Sequence, residues 1–134
     1  MNKIVTSDKI YIFQSKMKDA GRGVFAKVAI KKGETIERCP VIDVPKHDTS
    51  VVGESTLVEY FYFFGTKRTR IQVVLGFGSI YNHTYSPNAT YKEQRKEMAV
   101  DFIALKDIKK DEEITVNYAQ GNNNKSPLWF EVLK

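Results

Sequence analysis

The chain of 134 residues has few of the residues that disulfide-bonded, metal-bound or membrane-spanning proteins require. Its one cysteine, Cys39, excludes an intramolecular disulfide, and together with His47 and His83 it is too sparse for a structural zinc site. The densest apolar run, residues 57–64, is interrupted by Glu59 and is too short to span a bilayer. The N-terminus has no apolar stretch of signal-peptide length. We therefore expect an intracellular protein without a membrane segment or a bound metal.

Neither charge nor composition points to an unusual class of protein. Lys and Arg number 21 against 16 Asp and Glu, so the net charge is +5, and 42% of the residues are apolar. The basic clusters at residues 67–70 and 109–110 are short and are not interleaved with aromatic residues, which gives little support for direct nucleic-acid binding. A chain of this length buries about two-thirds of its unfolded surface. We expect one domain over residues 1–134.

Alternation of apolar and polar residues with a period of two dominates the sequence, and no long helical stripe is present. The alternation predicts strands at residues 9–13, 23–26, 35–38, 40–44, 99–103 and 114–118. It also predicts a hairpin of residues 57–64 with residues 71–75. Residues 48–55 are expected to form a loop, residues 82–89 a series of turns, and residues 128–134 a short helix. The prediction is a mostly β domain.

Several familiar motifs are absent, and isolated signals are weak. There is no glycine-rich nucleotide loop, and Gly21-Arg22-Gly23 taken alone is typical of a turn or bulge. Cys39 lies in an apolar strand context, which favours a buried and inert thiol over a nucleophile. Asn82-His83 lies in the turn-rich stretch, where polar side chains usually bind the backbone of their own loop. None of these motifs identifies a function by itself.

Three blocks taken in order resemble the SET domain of protein lysine methyltransferases. They are residues 21–26, residues 78–89 with Asn82-His83, and residues 112–118, which end in Tyr118. The resemblance covers nearly the whole chain and is nearest to the small stand-alone SET proteins of viral and bacterial type, which lack cysteine-rich flanks. It implies a mostly β fold of several small sheets with short helices. It also implies that the C-terminal strand threads through a loop beside Asn82-His83 as a pseudoknot.

The same resemblance implies that S-adenosylmethionine is the methyl donor. Asn82 and His83 would anchor its amino group and adenine, partly through main-chain bonds. Trp129 would stack on the adenine, an interaction worth about 1–3 kcal/mol, with packing of a terminal helix as the alternative. Glycine would let the backbone of the first block approach the methionine and ribose parts closely. The residues of that block that would bind the donor are Gly21, Arg22, Gly23, Val24 and Phe25.

Methylation of a lysine ε-amine requires the neutral amine, which costs about 4 kcal/mol near neutral pH because the pKa of free lysine is about 10.4. A narrow apolar channel lowers that pKa by desolvation, and aromatic faces favour cations. The resemblance implies that Tyr118 is the catalytic residue and that Tyr91 and Tyr60 line the channel. For Tyr60, an ordinary hairpin residue is the alternative. His83 is implied to be a pocket and packing residue, and no carboxylate or histidine is placed as a general base.

Three positions depart from the commoner family pattern. Thr84 stands where serine is frequent, and Asn117 stands where aspartate usually precedes the catalytic tyrosine. Gln120 stands where some relatives have a further channel aromatic. In the family, a tyrosine at the position of Tyr91 is associated with monomethylation. Gln120 leaves open how many methyl groups this protein would add to its lysine.

The leading hypothesis is an active lysine methyltransferase that acts on a histone tail or another basic protein. The alternative is a non-catalytic SET scaffold that binds a peptide or a partner protein, and absence of donor binding would distinguish it. By analogy, a homodimer would help so small a chain to build a substrate groove. We expect a cytoplasmic location, or a nuclear one if the substrate is chromatin. The substrate protein and the target lysine stay open.

Overall fold

The computed structural model describes residues 2–64 and 70–119, and most of the regular structure within these ranges is β-strand. Helical segments are short: α1 (Thr49–Gly53) and 3-10 helices at Lys46–Asp48, Thr56–Tyr60 and Arg95–Glu97. The predicted mostly β class is confirmed. In chain order the strands are β1 (Ile10–Gln14), β2 (Arg22–Ala26), β3 (Thr35–Asp43), β4 (Phe61–Phe64), β5 (Arg70–Val74), β6 (Asn82–His83), β7 (Ala89–Gln94), β8 (Ala99–Ala104) and β9 (Glu113–Val116).

Five strands form an antiparallel sheet in the order β4-β5-β3-β8-β7. Although β4 and β7 are its two edges, the ring centroids of Tyr62 on β4 and Tyr91 on β7 are 4.8 Å apart. Arg70 on β5 likewise forms an ion pair with Glu93 on β7. The sheet therefore curls until its edges meet through side chains, and aromatic residues fill the inner face.

The other sheet has the order β1-β2-β9-β6, so the last strand lies between two much earlier ones. β9 is antiparallel to β2 and parallel to β6, with Asn82 opposite Thr115 and His83 opposite Val116. This insertion brings the end of the described chain beside Asn82-His83, as the resemblance implied. β9 therefore pairs with two strands that are far from it in the sequence.

The strands form because their apolar residues meet in one buried cluster. The fully buried side chains of this cluster include Val24 and Ile114 from the four-stranded sheet and Phe102 and Val100 from the five-stranded sheet. Burying a side chain of this size contributes about 1.5–3 kcal/mol relative to leaving it exposed. Tyr81, which joins the two sheets, is fully buried as well, with its ring stacked on Phe102 at 4.2 Å.

Several boundaries differ from the sequence predictions. Residues 57–60 belong to a 3-10 helix rather than to a strand, because Ser55 caps this turn by accepting a hydrogen bond from the Leu57 N–H. Residues 48–55 contain α1 rather than a plain loop, and the two strands predicted at 35–38 and 40–44 are one strand, β3. β6 lies in the stretch predicted as turns, and β7 was not predicted. The predicted helix at 128–134 lies outside the described residues.

No helix within the described part of the chain is long and apolar enough to cross a membrane. The single-domain prediction over residues 1–134 includes residues outside the described ranges, so it stays a prediction.

Cys39 is fully buried on β3, and burial followed by the nearby Glu37 carboxylate raises the pKa of its thiol. The thiolate is the reactive form, so the folded protein should not react with a thiol-specific disulfide reagent in mildly alkaline buffer. After unfolding in guanidinium chloride, one thiol per chain should react. Rapid reaction of the folded protein would contradict this burial, and absorbance of the released thiol chromophore is the measurement.

Candidate active site

A buried asparagine holds β9 in its place between the other strands. The Asn88 Nδ2 donates to the Glu113 carbonyl at 2.9 Å and to the Glu112 Oε2 at 3.0 Å. Its Oδ1 accepts from the Thr115 N–H at 2.9 Å. Sequence reasoning treated Asn88 as a turn residue only, although a polar residue between apolar neighbours is a signal of such a role. The strand that leads to Tyr118 is thus clamped along its edge.

Tyr118 lies two residues beyond β9, and both its backbone and its side chain are hydrogen-bonded. Its backbone N–H donates to the His83 Nδ1 at 2.9 Å, and its hydroxyl donates to the Tyr81 carbonyl. Burial first, and then the neighbouring phenols of Tyr91 and Tyr60, raise the pKa of the Tyr118 hydroxyl. The hydroxyl therefore stays protonated across the physiological range, and its proton is directed at the Tyr81 carbonyl.

The residue whose carbonyl accepts from the Tyr118 hydroxyl, Tyr81, is itself fixed by a hydrogen bond of its side chain. The Tyr81 hydroxyl donates to the Glu37 Oε1 at 2.9 Å, and the Phe77 N–H donates to the Glu37 Oε2 at the same distance. Glu37 is only 8% exposed, so this carboxylate is buried and bridges two segments of the loop before β6. The position of Tyr118 thus depends on a chain of hydrogen bonds that reaches the core.

Aromatic rings surround Tyr118 on the inner face of the curled sheet. The Tyr62 ring lies edge-on at 6.0 Å from that of Tyr118, and its hydroxyl donates to the Gly78 carbonyl at 2.8 Å. The Tyr91 hydroxyl donates to the Tyr118 carbonyl at 3.3 Å. Tyr60 is 37% exposed at the rim, where its carbonyl accepts from the Ser79 hydroxyl. Sequence reasoning missed Tyr62, which is buried at the centre of this aromatic group.

The first glycine block runs past Asn82. Gly21 has a φ of +71°, a conformation that favours glycine, and no described atom lies within 4 Å of where its side chain would begin. The Arg22 carbonyl accepts from the Asn82 Nδ2 at 2.9 Å. The side chains of Val24 and Phe25 are fully buried, and both residues pair with β1 on one side and β9 on the other.

The structure brings most of the predicted site residues into one connected region, although their roles stay predictions. At two positions that depart from the family pattern, the Thr84 hydroxyl accepts from the Ser86 N–H and the Asn117 Oδ1 accepts from the Ala119 N–H. Gln120 and Trp129 lie outside the described residues. Among the described side chains, no group of three His, Cys, Asp or Glu residues is arranged to hold a metal ion. The residues brought together are Gly21, Arg22, Gly23, Asn82, His83, Tyr60, Tyr91 and Tyr118.

Comparison with known proteins agrees with this arrangement. The family model described as the SET domain matches residues 21–119. A curated protein of Schizosaccharomyces pombe, named histone-lysine N-methyltransferase, H3 lysine-37 specific, is 32% identical over 112 residues. That alignment covers 83% of this chain and 71% of the relative.

Solved structures share the fold. A Plasmodium falciparum protein described as a candidate histone methyltransferase aligns with a TM-score of 0.63 and 30% identity, over 88% of this chain and 97% of that one. The Polycomb repressive complex 2 of Chaetomium thermophilum, in an autoinhibited conformation bound to S-adenosylmethionine, aligns with a TM-score of 0.70 and 23% identity. That match covers 91% of this chain and 16% of the other. The predicted fold class is confirmed.

Proposed function

This chain belongs to the SET-domain family of protein lysine methyltransferases, and from that premise we propose how it works: Tyr118 is the catalytic residue, S-adenosylmethionine is the methyl donor, and a histone tail or another basic protein is the substrate. One observation carries the proposal. The Tyr118 backbone N–H is hydrogen-bonded to His83 and its hydroxyl is hydrogen-bonded to the Tyr81 carbonyl. The Tyr118 side chain therefore lies between Asn82-His83 on one side and the aromatic group on the other.

The donor would be held where the first glycine block meets Asn82. No described atom lies within 4 Å of where a Gly21 side chain would begin, and the Arg22 carbonyl accepts from the Asn82 side chain. Asn82 and His83 form β6, and binding of the donor by Val24 and Phe25 stays a prediction. When bound, S-adenosylmethionine supplies an electron-poor methyl group on sulfur. The stacking role of Trp129 remains a prediction.

The aromatic group would hold the lysine side chain and keep its amine neutral. Tyr62, Tyr91 and Tyr118 have ring centroids 4.8–6.0 Å apart where they pair, and these faces exclude water from the amine. Desolvation lowers the pKa of a lysine, which reduces the cost of about 4 kcal/mol for the neutral form. The lone pairs of the Tyr118 hydroxyl would accept an N–H of the amine and so orient its nitrogen. The amine would lose its proton to bulk water before it enters the aromatic group.

The substrate class follows from the relatives. The Schizosaccharomyces pombe relative is named for a lysine of histone H3, which makes a histone tail the first candidate. A nuclear location would follow for a chromatin substrate, and a cytoplasmic one for another basic protein. The homodimer suggested by analogy is part of this proposal, and equilibrium sedimentation of the purified chain tests it.

Calorimetric titration with S-adenosylmethionine tests the donor site. We expect the wild-type chain to bind saturably and Asn82→Ala to bind at least about tenfold more weakly, a loss of about 1.4 kcal/mol. Asn2→Ala is the matched control, because Asn2 is exposed and, within residues 2–64 and 70–119, its side chain bonds to Glu97 alone.

Transfer of a radiolabelled methyl group to histone H3 tests the acceptor. Labelling that requires the wild-type chain is expected, with other basic proteins as comparison substrates. If a well-folded wild-type chain binds no S-adenosylmethionine, alone or with a peptide substrate, the enzyme proposal fails. A non-catalytic SET scaffold would then be the better interpretation.

A further inference from the structure

We propose that Glu113 is a positioning residue for the methyl donor. Its carboxylate orients the side-chain amide of Asn82 so that the Oδ1 is left to accept a hydrogen bond from the amino group of the donor. It also ties down the segment after β1 against the glycine block. This inference rests on the proposed function, because it identifies what prepares the donor site that Asn82 belongs to.

The orientation of the Asn82 amide follows from its partners. The Asn82 Nδ2 lies 2.9 Å from the Arg22 carbonyl and 2.9 Å from the Glu113 Oε2. An amide nitrogen carries two hydrogens, and these two acceptors use both. If the amide were rotated by 180°, its oxygen would face a carbonyl oxygen and a carboxylate, which is repulsive.

The Asn82 Oδ1 is consequently the polar atom that remains for a ligand. Within residues 2–64 and 70–119, no residue donates a hydrogen bond to it. An oxygen that only accepts is complementary to an ammonium group, which only donates. The nearby negative charge of Glu113 favours the same class of ligand.

Glu113 also controls the segment that follows β1. The Ser15 hydroxyl lies 2.9 Å from both carboxylate oxygens, and the Lys16 N–H donates to the Oε1 at 3.3 Å. The same segment closes on the glycine block, because the Ser15 N–H donates to the Gly21 carbonyl at 2.8 Å. One carboxylate therefore joins β9, β6 and the turn that leads to Gly21.

Gly23 leaves room for this carboxylate. A Cβ at position 23 would lie 2.3 Å from the Glu113 Oε2 and 3.0 Å from the Asn82 Nδ2, closer than such atoms approach. A side chain at position 23 would displace both groups. The close packing explains why glycine occupies this position in a buried strand.

A positioning role and a merely structural role predict different kinetics. The strand pairing of Glu113 with Phe25 uses main-chain groups, so replacing the side chain leaves the register intact. A structural role would lower the melting temperature and kcat together. The positioning role instead raises the KM for S-adenosylmethionine and leaves kcat at saturating donor nearly unchanged.

The experiment compares Glu113→Gln and Glu113→Ala with the wild-type chain by calorimetric titration with S-adenosylmethionine and by steady-state kinetics. We expect Glu113→Ala to bind about tenfold more weakly, since it leaves the amide free to rotate. Glu113→Gln should lose about threefold, because its amide oxygen still accepts from Asn82. In both variants kcat at saturating donor should stay within about threefold of the wild type. Glu54→Gln, an exposed change, should leave Kd and KM unaltered.

The outcomes separate this inference from the proposed function. If the wild-type chain binds S-adenosylmethionine and Glu113→Ala binds it equally well, the inference is overturned while the proposed function stands. A variant whose kcat and melting temperature both fall while its KM for S-adenosylmethionine stays unchanged would also overturn the inference. If Glu113→Ala does not fold, Ser15→Ala decides, because it removes the contact of the half-buried Ser15 hydroxyl with the carboxylate. A rise of about threefold in Kd supports the inference, and no rise overturns it.

Discussion

Replacing Tyr118 by phenylalanine is expected to lower kcat for lysine methylation by about 100-fold to 1,000-fold. The change removes the hydroxyl that is held by the Tyr81 carbonyl beside Asn82-His83 and that is proposed to orient the amine. The ring remains, and so do the contacts of Tyr62 and His83 with it. Binding of S-adenosylmethionine should therefore change by less than about threefold. Single-turnover methylation of a histone H3 peptide with radiolabelled donor is the measurement.

Tyr11→Phe is the matched control for this prediction. It removes a tyrosine hydroxyl that bonds to Asp111, at a site separate from the Tyr118 contacts, and it should leave kcat unchanged. A Tyr118→Phe variant with more than about a third of the wild-type kcat would show that the hydroxyl takes no part in the rate-limiting step.

Replacing Asn88 by alanine is expected to destabilise the protein by about 3 kcal/mol, a fall of about 10 °C in melting temperature. The change removes three hydrogen bonds and leaves the Thr115 N–H and the Glu113 carbonyl without their partner. Activity should fall as well, since β9 leads directly to Tyr118. Differential scanning calorimetry measures the shift.

Asn2→Ala again provides the control. The hydrogen bonds of Asn2 with Glu97 are exposed, so this substitution should destabilise the protein by less than about 0.5 kcal/mol. If Asn88→Ala melts within about 2 °C of the wild type, the clamp on β9 contributes little, and the register of β9 must depend on its apolar residues instead.

Prediction from sequence succeeded where the signal is local. Alternation correctly indicated the cores of β1, β2, β8 and β9, because a strand with one buried face repeats every two residues. It failed at residues 57–60, where Tyr60 and Leu57 continue an apolar pattern but remain largely exposed in a 3-10 helix. The buried Tyr62 on β4 was overlooked, and the channel role that the resemblance implied for Tyr60 stays a prediction.

The roles of individual polar residues could not be read from the sequence. Glu37, Asn88 and Glu113 have no local feature that distinguishes them from other polar residues in strands and turns. Their partners lie roughly 24 to 98 positions away along the chain. A hydrogen bond between such distant residues exists only after the sheets have closed, so composition and periodicity do not report it.

The sequence by itself determined the strand pattern, the buried thiol and, through three ordered blocks, the family to which the chain belongs. Only the tertiary structure decided how those blocks meet. Because β9 lies between β2 and β6, the Tyr118 N–H can donate to the His83 side chain. Because the five-stranded sheet curls, the Tyr62 ring contacts the Tyr91 ring. The physical reason is that both arrangements depend on contacts between strands far apart in the chain, whose energy appears only when the whole core has formed.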